Sequence, residues 1–349
     1  MDSSLSNVKH VHEEPPLLGN TIKVAPGVFW LRMPLPFKLD HINLWLLEDN
    51  DDEGCGWTIV DTGIDTVEVR NAWKQILEER INDQKPLKRV IVTHYHPDHF
   101  GLAGWLTQRL NVPLWMPRKE WTQACLLRQQ TGANNKEEFL AFYHSVGFDD
   151  VMLNKAKGRP GRYSKLISRP PASFIRIIEG QELVINGRKW RSIIGAGHSP
   201  EHLCLYSAEL DVLISGDQVL PKITPNISVW PQEPQANPLS LFLKSLNKLR
   251  GLGPKTLVLP SHKLPFYGLD RRINELQEHH HERLCRTFEI CSNPSNGAEV
   301  MRQLFNRKLD THQIFFAIGE TLAHLHFLLE NGKLVRKKDA NGVFVYHHN

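Results

Sequence analysis

The eleven residues IVTHYHPDHFG, Ile91 to Gly101, set His94, His96, Asp98 and His99 within six consecutive positions, directly after an apolar strand-like run. Two readings compete for such a stretch: a metal site, or a polar turn rich in histidine. The spacing H-x-H-x-D-H puts alternate residues on one side of a loop at a strand's end, and chance produces it rarely. A helix-like segment, GLAGWLTQRL, follows. The order strand, loop, helix is that of an α/β layered protein.

The flanking sequence continues this rhythm. TIKVAPGVFWLRM alternates as a strand and breaks at Pro26-Gly27; INLWLLED and GWTIVDTG read as further strands, the latter ending in Asp61-Thr62-Gly63. VEVRNAWKQILEERI is an amphipathic helix. Later strands are expected in FIRIIEG, QELVING, RKWRSIIGAG, LCLYSAE, DVLISGD and TLVLPSH, with a helix in ANPLSLFLKSLNKLRGLG.

The 349 residues suggest two domains, and the 41% apolar and 23% charged fractions suit a globular protein with a core. Residues 1–20 read as a flexible tail. Residues 21–270 form the main domain, interrupted at about 115–172 by a helical insertion expected to lie over something. Residues 271–349 carry helices and then KLVRKKDANGVFVYHH, two strands around an Asp-Ala-Asn-Gly turn, which suggests a small winged-helix-like module. No apolar run approaches the length of a membrane span. The polar start lacks a signal-peptide core, and Cys55, Cys125, Cys204, Cys285 and Cys291 form no C-x-x-C pair. A reduced, cytoplasmic setting is therefore expected. The net charge of +4 is too small to argue for nucleic acid by itself.

Three later loops add candidates of the same kind as the first cluster. GAGHSPEH offers His198, ISGDQVL offers Asp217, and VLPSHKLP offers His262, each after a strand. With His94, His96, Asp98 and His99 they are enough for two metal ions sharing one carboxylate. Imidazole and carboxylate suit zinc, with iron or manganese as alternatives. His202 reads as a supporting residue rather than a ligand. His279, His280 and His281 point in different directions along a helix and read as structural.

THYHPDH, GHSPEH, GDQVL and PSH resemble the motif series of the metallo-β-lactamase superfamily over about residues 22–268, and the Asp61-Thr62-Gly63 turn is similar to that family's early strand-end aspartate. The resemblance implies an αββα sandwich with two metal ions at one rim of the sheets. It implies one ion held by His94, His96 and His198, the other by Asp98, His99 and His262, and Asp217 bridging both. An aspartate at 217 resembles glyoxalase II, lactonases, thioesterases and nucleases of the superfamily rather than its antibiotic-resistance enzymes, so β-lactam hydrolysis ranks low. The tail resembles the β-lactamase-like protein 2 group, which includes an RNA endonuclease and thioesterases of polyketide pathways.

The expected chemistry is hydrolysis by a hydroxide bridging two cations about 3.5–4 Å apart. Asp98 and Asp217 are the candidate catalytic carboxylates, Asp98 by orienting or deprotonating the nucleophile. No distinctive general acid is visible. That favours thioesters and activated esters, because thiols ionise near 8.5 and leave with little protonation. Asn226, Ser228 and Trp230, in TPNISVWPQEP just after Asp217, are candidates to line a pocket. The basic stretch carrying Lys155, Lys157, Arg159, Arg162, Lys165 and Arg169 has no acidic residue, and Lys155, Arg159 and Arg162 are candidates to meet an anionic acyl substrate such as a coenzyme A thioester. A metal-dependent nuclease with the tail gripping RNA or single-stranded nucleic acid is the rival, supported by Lys333, Arg336, Lys337 and Lys338. A binding or regulatory protein with a structural metal is a third reading, weakened by the cysteine-free ligand set. No membrane partner is expected. The apolar FFAIGETLAHLHFLL suits packing or homodimer formation.

Overall fold

Parallel strands whose carboxyl ends lie side by side can deliver several loops to one edge of a sheet, and such strands occur in both sheets here. The structure, a computed structural model, describes residues 8–52, 54–82, 84–130, 136–158 and 161–349. Strand β1 (Lys9–His10) is followed by β2 (Ile22–Ala25), β3 (Val28–Pro34), β4 (His41–Glu48), β5 (Trp57–Val60), β6 (Leu87–Ile91), β7 (Leu114–Met116) and β8 (Ile175–Arg176). Strands β2 to β8 make one seven-stranded sheet in chain order, antiparallel as far as β5 and parallel from β5 to β8. Then come β9 (Glu182–Ile185), β10 (Arg188–Gly195), β11 (His202–Ser207), β12 (Val212–Gly216), β13 (Leu257–Pro260) and β14 (Phe266–Tyr267). They form a second sheet, ordered β1-β14-β13-β12-β11-β10-β9, in which only β12 and β13 run parallel.

The alternation of apolar residues explains the layers. Trp30, Trp45, Val60 and Ile91 of the first sheet meet Trp190, Leu203, Leu205, Ile214 and Leu259 of the second in a core between the sheets. The opposite face of the first sheet is covered by helices Val67–Arg80, Ala103–Leu110 and Arg118–Gln129 through Trp73, Leu106 and Ala124. The outer face of the second is covered by Pro238–Lys248, Leu269–Ile290 and Thr311–Glu330 through Phe242, Ile273 and Leu325. The arrangement is a helix–sheet–sheet–helix sandwich.

The tail of the chain closes with β15 (Ser295–Asn296), helix Gly297–Leu304, and the hairpin of β16 (Leu334–Lys338) and β17 (Phe344–His348), in a small sheet ordered β15-β17-β16. These elements share one buried cluster with the second sheet, and helix Leu269–Ile290 runs across position 270. The insertion divides between both sides. Ala124 and Ile167 join the core under the first sheet, whereas Tyr143, Val146 and Phe148 pack with the C-terminal helices.

One expectation needs correction. Residues 9–12 are not loose: Lys9 and His10 pair with Tyr267 and Phe266, Val11 N–H donates to the Pro265 carbonyl at 3.3 Å, and His12 packs on Trp30. Two short paired residues carry no readable alternation, so this strand has no signature of its own. The basic stretch of the insertion opens as helix Asp150–Ala156, capped by the Asp149 side chain, with Ala156 buried. Among the described residues no helix is long and apolar enough to cross a membrane.

Candidate metal centre and its cavity

Each candidate ligand follows the carboxyl end of a strand. His94, His96, Asp98 and His99 follow β6, His198 follows β10, Asp217 follows β12, and His262 follows β13. The two sheets are tied together at this rim. Leu203 N–H donates to the Thr93 carbonyl at 2.9 Å and Asn43 N–H to the Ser261 carbonyl at 2.6 Å. The result is that His94, His96, His198 and Asp217 offer ligand atoms within 4.8 Å of one another, as do Asp98, His99 and His262. Asp217 faces both groups. Its Oδ2 lies 3.3 Å from His198 Nε2, and its Oδ1 lies 3.4 Å from His262 Nε2 and 3.6 Å from His99 Nε2.

The hydrogen bonds behind the imidazoles decide which nitrogen faces inward. His198 Nδ1–H donates to the Asn226 carbonyl at 2.9 Å, His262 Nδ1–H to the His41 carbonyl at 2.8 Å, and His99 Nδ1–H to Asp61 Oδ2 at 2.7 Å. The Thr93 hydroxyl donates to Asp61, so its oxygen accepts from His94 Nδ1–H at 3.0 Å. Every Nε2 in this set therefore points its lone pair at the cluster, as a metal-ligating histidine requires.

This geometry tests whether a cation belongs here. His94 Nε2 and His198 Nε2, two lone-pair donors, sit 3.3 Å apart. His99 Nε2 and Asp217 Oδ1 are buried without a hydrogen-bond partner. Such groups repel or stay unsatisfied unless a positive ion accepts them. Burial and neighbouring imidazoles push His94 and His96 well below the usual histidine range, which keeps them neutral and able to ligate. Against the cost of burial, Asp61, Asp98 and Asp217 hold His99 well above it. That half of the cluster is strongly cation-seeking. The residues fit a metal ion.

Further residues support the ligands from behind. Asp61 takes a left-handed backbone at φ +63° and accepts from Thr93 N–H at 2.8 Å. Glu120, at the start of helix Arg118–Gln129, is fully buried. It accepts from Tyr95 N–H at 3.0 Å, the Ser199 hydroxyl at 2.9 Å and Glu201 N–H at 2.5 Å. It thereby ties the loop of His94 and His96 to that of His198. Nothing in the local sequence marks it. His202 takes the supporting position expected of it: its Nε2 accepts the Asp217 backbone N–H at 3.0 Å. A Cβ at Gly216 would lie 2.4 Å from its ring.

Beside the cluster opens a cavity of about 840 Å³, lined by His96, Asp98, His198, Asp217 and His262 at one end and largely by apolar side chains elsewhere. Asn226, Trp230 and Arg162 line it. Ser228 does not, which corrects the expectation for it. Its hydroxyl donates to Asn226 Oδ1 at 2.9 Å, and its side chain packs against helix Thr311–Glu330 at Gly319. Lys155 lies exposed on helix Asp150–Ala156, away from the lining residues, because the buried face of that helix is taken by Ala156. Arg159 lies outside the described residues. His279 lines the cavity while His280 is buried against His324, so the three consecutive histidines do diverge.

This sandwich, with a histidine- and aspartate-rich cluster at one rim, defines a class of metal-dependent hydrolases. The model of the metallo-beta-lactamase superfamily matches residues 38–262, and that of the metallo-beta-lactamase-like C-terminal domain matches residues 284–349. The chain belongs to the metallo-β-lactamase superfamily. A beta-lactamase domain protein from Burkholderia ambifaria is 44% identical, with a TM-score of 0.91 over 98% of both chains. A probable metallo-hydrolase of Bacillus subtilis is 24% identical over 91% of this chain and 97% of its own length. An atrochrysone carboxyl ACP thioesterase of Aspergillus fumigatus is 21% identical over 76% of this chain and 73% of its own.

Proposed function

We propose that the protein is a dinuclear metal hydrolase of thioesters or activated esters. The observation that carries this is the Asp217 carboxylate, with one oxygen toward His198 and the other toward His99 and His262, at the head of a mainly apolar cavity. His94, His96 and His198 would hold one ion, Asp98, His99 and His262 the other, and Asp217 both. Zinc is the cation proposed, with iron or manganese as alternatives. Bound cations lower the pKa of water and stabilise the negative charge that builds on an attacked carbonyl oxygen.

The chain's own residues do the rest. Asp98 reaches toward both His99 and His262, at 3.7 and 3.5 Å, and stands at the cavity wall where it can orient a nucleophilic water. Asn226 lines the wall beside His198, whose ring its carbonyl fixes, and positions the substrate next to the ligands. A thiolate leaves with little protonation, so a site without a dedicated acid suffices for thioesters. The name of the Aspergillus thioesterase supports the same substrate class. Nuclease activity has less support. The order helix, strand, two helices and hairpin in the tail agrees with a winged-helix reading, but Lys333, Arg336, Lys337 and Lys338 do not line the cavity.

The deciding experiment is a hydrolysis panel on metal-loaded protein, with thioesters of coenzyme A and glutathione beside single-stranded RNA and the Asp217→Ala protein as contamination control. Thioester turnover that the variant lacks is expected. RNA cleavage without thioester turnover would overturn the reading.

A further inference from the structure

Four rings from three separate elements meet along the cavity. Phe37, in the β3–β4 loop, stacks on His312 at 5.8 Å between centroids with planes 8° apart. His312 meets Phe316, one turn along helix Thr311–Glu330, at 4.7 Å and 64°, and Phe316 meets Trp230 at 5.8 Å and 82°. All four line the cavity. Trp230 shares a loop and the cavity wall with Asn226, whose carbonyl holds His198. None of the four is buried: Phe37 is 37% exposed, and Trp230, Phe316 and His312 keep accessible surface. Rings meeting edge to face leave faces uncovered, and uncovered faces attract flat π systems beyond the gain from apolar area alone.

We infer that this band is a subsite for a flat, ring-bearing acyl group, so that the favoured substrate is an aromatic acyl thioester or ester; the inference rests on the hydrolase reading above. The acyl carbon would lie at the ligand end and the ring along Trp230 and Phe316. An aliphatic chain gains only area from such a wall, whereas an aryl ring gains the ring contacts as well.

Binding and turnover are measured separately, on full-length, metal-loaded protein. Calorimetric titration compares 2-naphthoate with hexanoate, two carboxylates equally able to approach the metal end. The expected result is a clear preference for naphthoate that falls by about threefold to tenfold in Phe316→Leu. Trp230→Leu serves as a second variant, and melting curves confirm that both are folded. Equal affinity for the two acids, or a preference that survives both substitutions, would overturn the subsite. So would displacement of naphthoate by a lower concentration of single-stranded RNA, which would give the band to nucleobases. Turnover of naphthoyl and acetyl thioesters is the second arm. Ring-selective binding with neither thioester hydrolysed leaves the subsite standing and removes the hydrolase reading. Hydrolysis of both without ring preference does the reverse.

Discussion

Asp61 Oδ2 accepts the Nδ1–H of His99 at 2.7 Å while the same carboxylate takes the Thr93 hydroxyl and N–H, so one buried side chain orients the rings of both His94 and His99. Asp61→Asn is the informative change, because asparagine tolerates the left-handed backbone that aspartate occupies here. It removes the charge and forces one amide N–H toward a donor. Metal affinity should drop about tenfold to a hundredfold, the usual effect of losing a ligand's outer partner. Chelator competition measures it. Unchanged retention of metal would show that His99 needs no orienting carboxylate.

Glu120 joins two ligand loops through three accepted hydrogen bonds, and burial raises its carboxyl to about 7. Glu120→Gln would turn an N–H toward a backbone N–H that now donates. A loss of about 1–3 kcal/mol in folding stability is expected from the mismatch. Denaturant unfolding with metal removed gives the number. A change within error would mean that the loops are held by other contacts.

The C-terminal helix approaches the cavity loop at Gly319, where an added Cβ would lie 2.7 Å from the Ser228 side chain and where Val229 N–H donates to the Gly319 carbonyl at 3.1 Å. Alanine is the better helix former by about 1 kcal/mol, yet overpacking of this kind costs about 1–3 kcal/mol. Gly319→Ala should therefore lower the melting temperature. A rise would show that the loop yields freely.

His324 is buried, and burial lowers its pKa to about 4; its Nδ1–H donates to the Glu320 carbonyl and its Nε2 lies 3.3 Å from His280 Nδ1. The folded state binds the proton less readily than the unfolded chain. The stability contribution is therefore complete above the ordinary value of 6.5 and is lost as pH falls toward 4. Between pH 7 and 5 the loss should be about 2 kcal/mol. His324→Gln, which cannot titrate, should flatten that part of the pH–stability curve. Parallel curves for the two proteins would rule out His324 as the source.

The histidine- and aspartate-rich rim was legible because its chemistry is written in rare, clustered letters. His94, His96, Asp98 and His99 stand together, and His198, Asp217 and His262 each close a readable strand. The sandwich was legible through apolar, strand-forming runs such as VFWLRMP and HINLWLLE. What escaped was set by tertiary contact. Glu120 looks like any helix-start acid until Tyr95, Ser199 and Glu201 surround it. Ser228 and Asn226 are two letters apart, and only the backbone path decides which of them faces the cavity. The aromatic band joins positions 37, 230, 312 and 316, a separation at which no local pattern exists.

His198 and His262 are aimed by main-chain carbonyls, those of Asn226 and His41, rather than by side chains. A carbonyl is supplied by every amino acid, so the aim of these two rings is indifferent to which letter stands at 41 or 226. It depends instead on where the peptide unit lies. A one-residue insertion or deletion in either loop would turn the carbonyl away and misalign the ring, even if every functional side chain were kept. For these segments, length is the conserved quantity to look for in kindred proteins, and libraries that vary composition at fixed length are the ones that should retain metal.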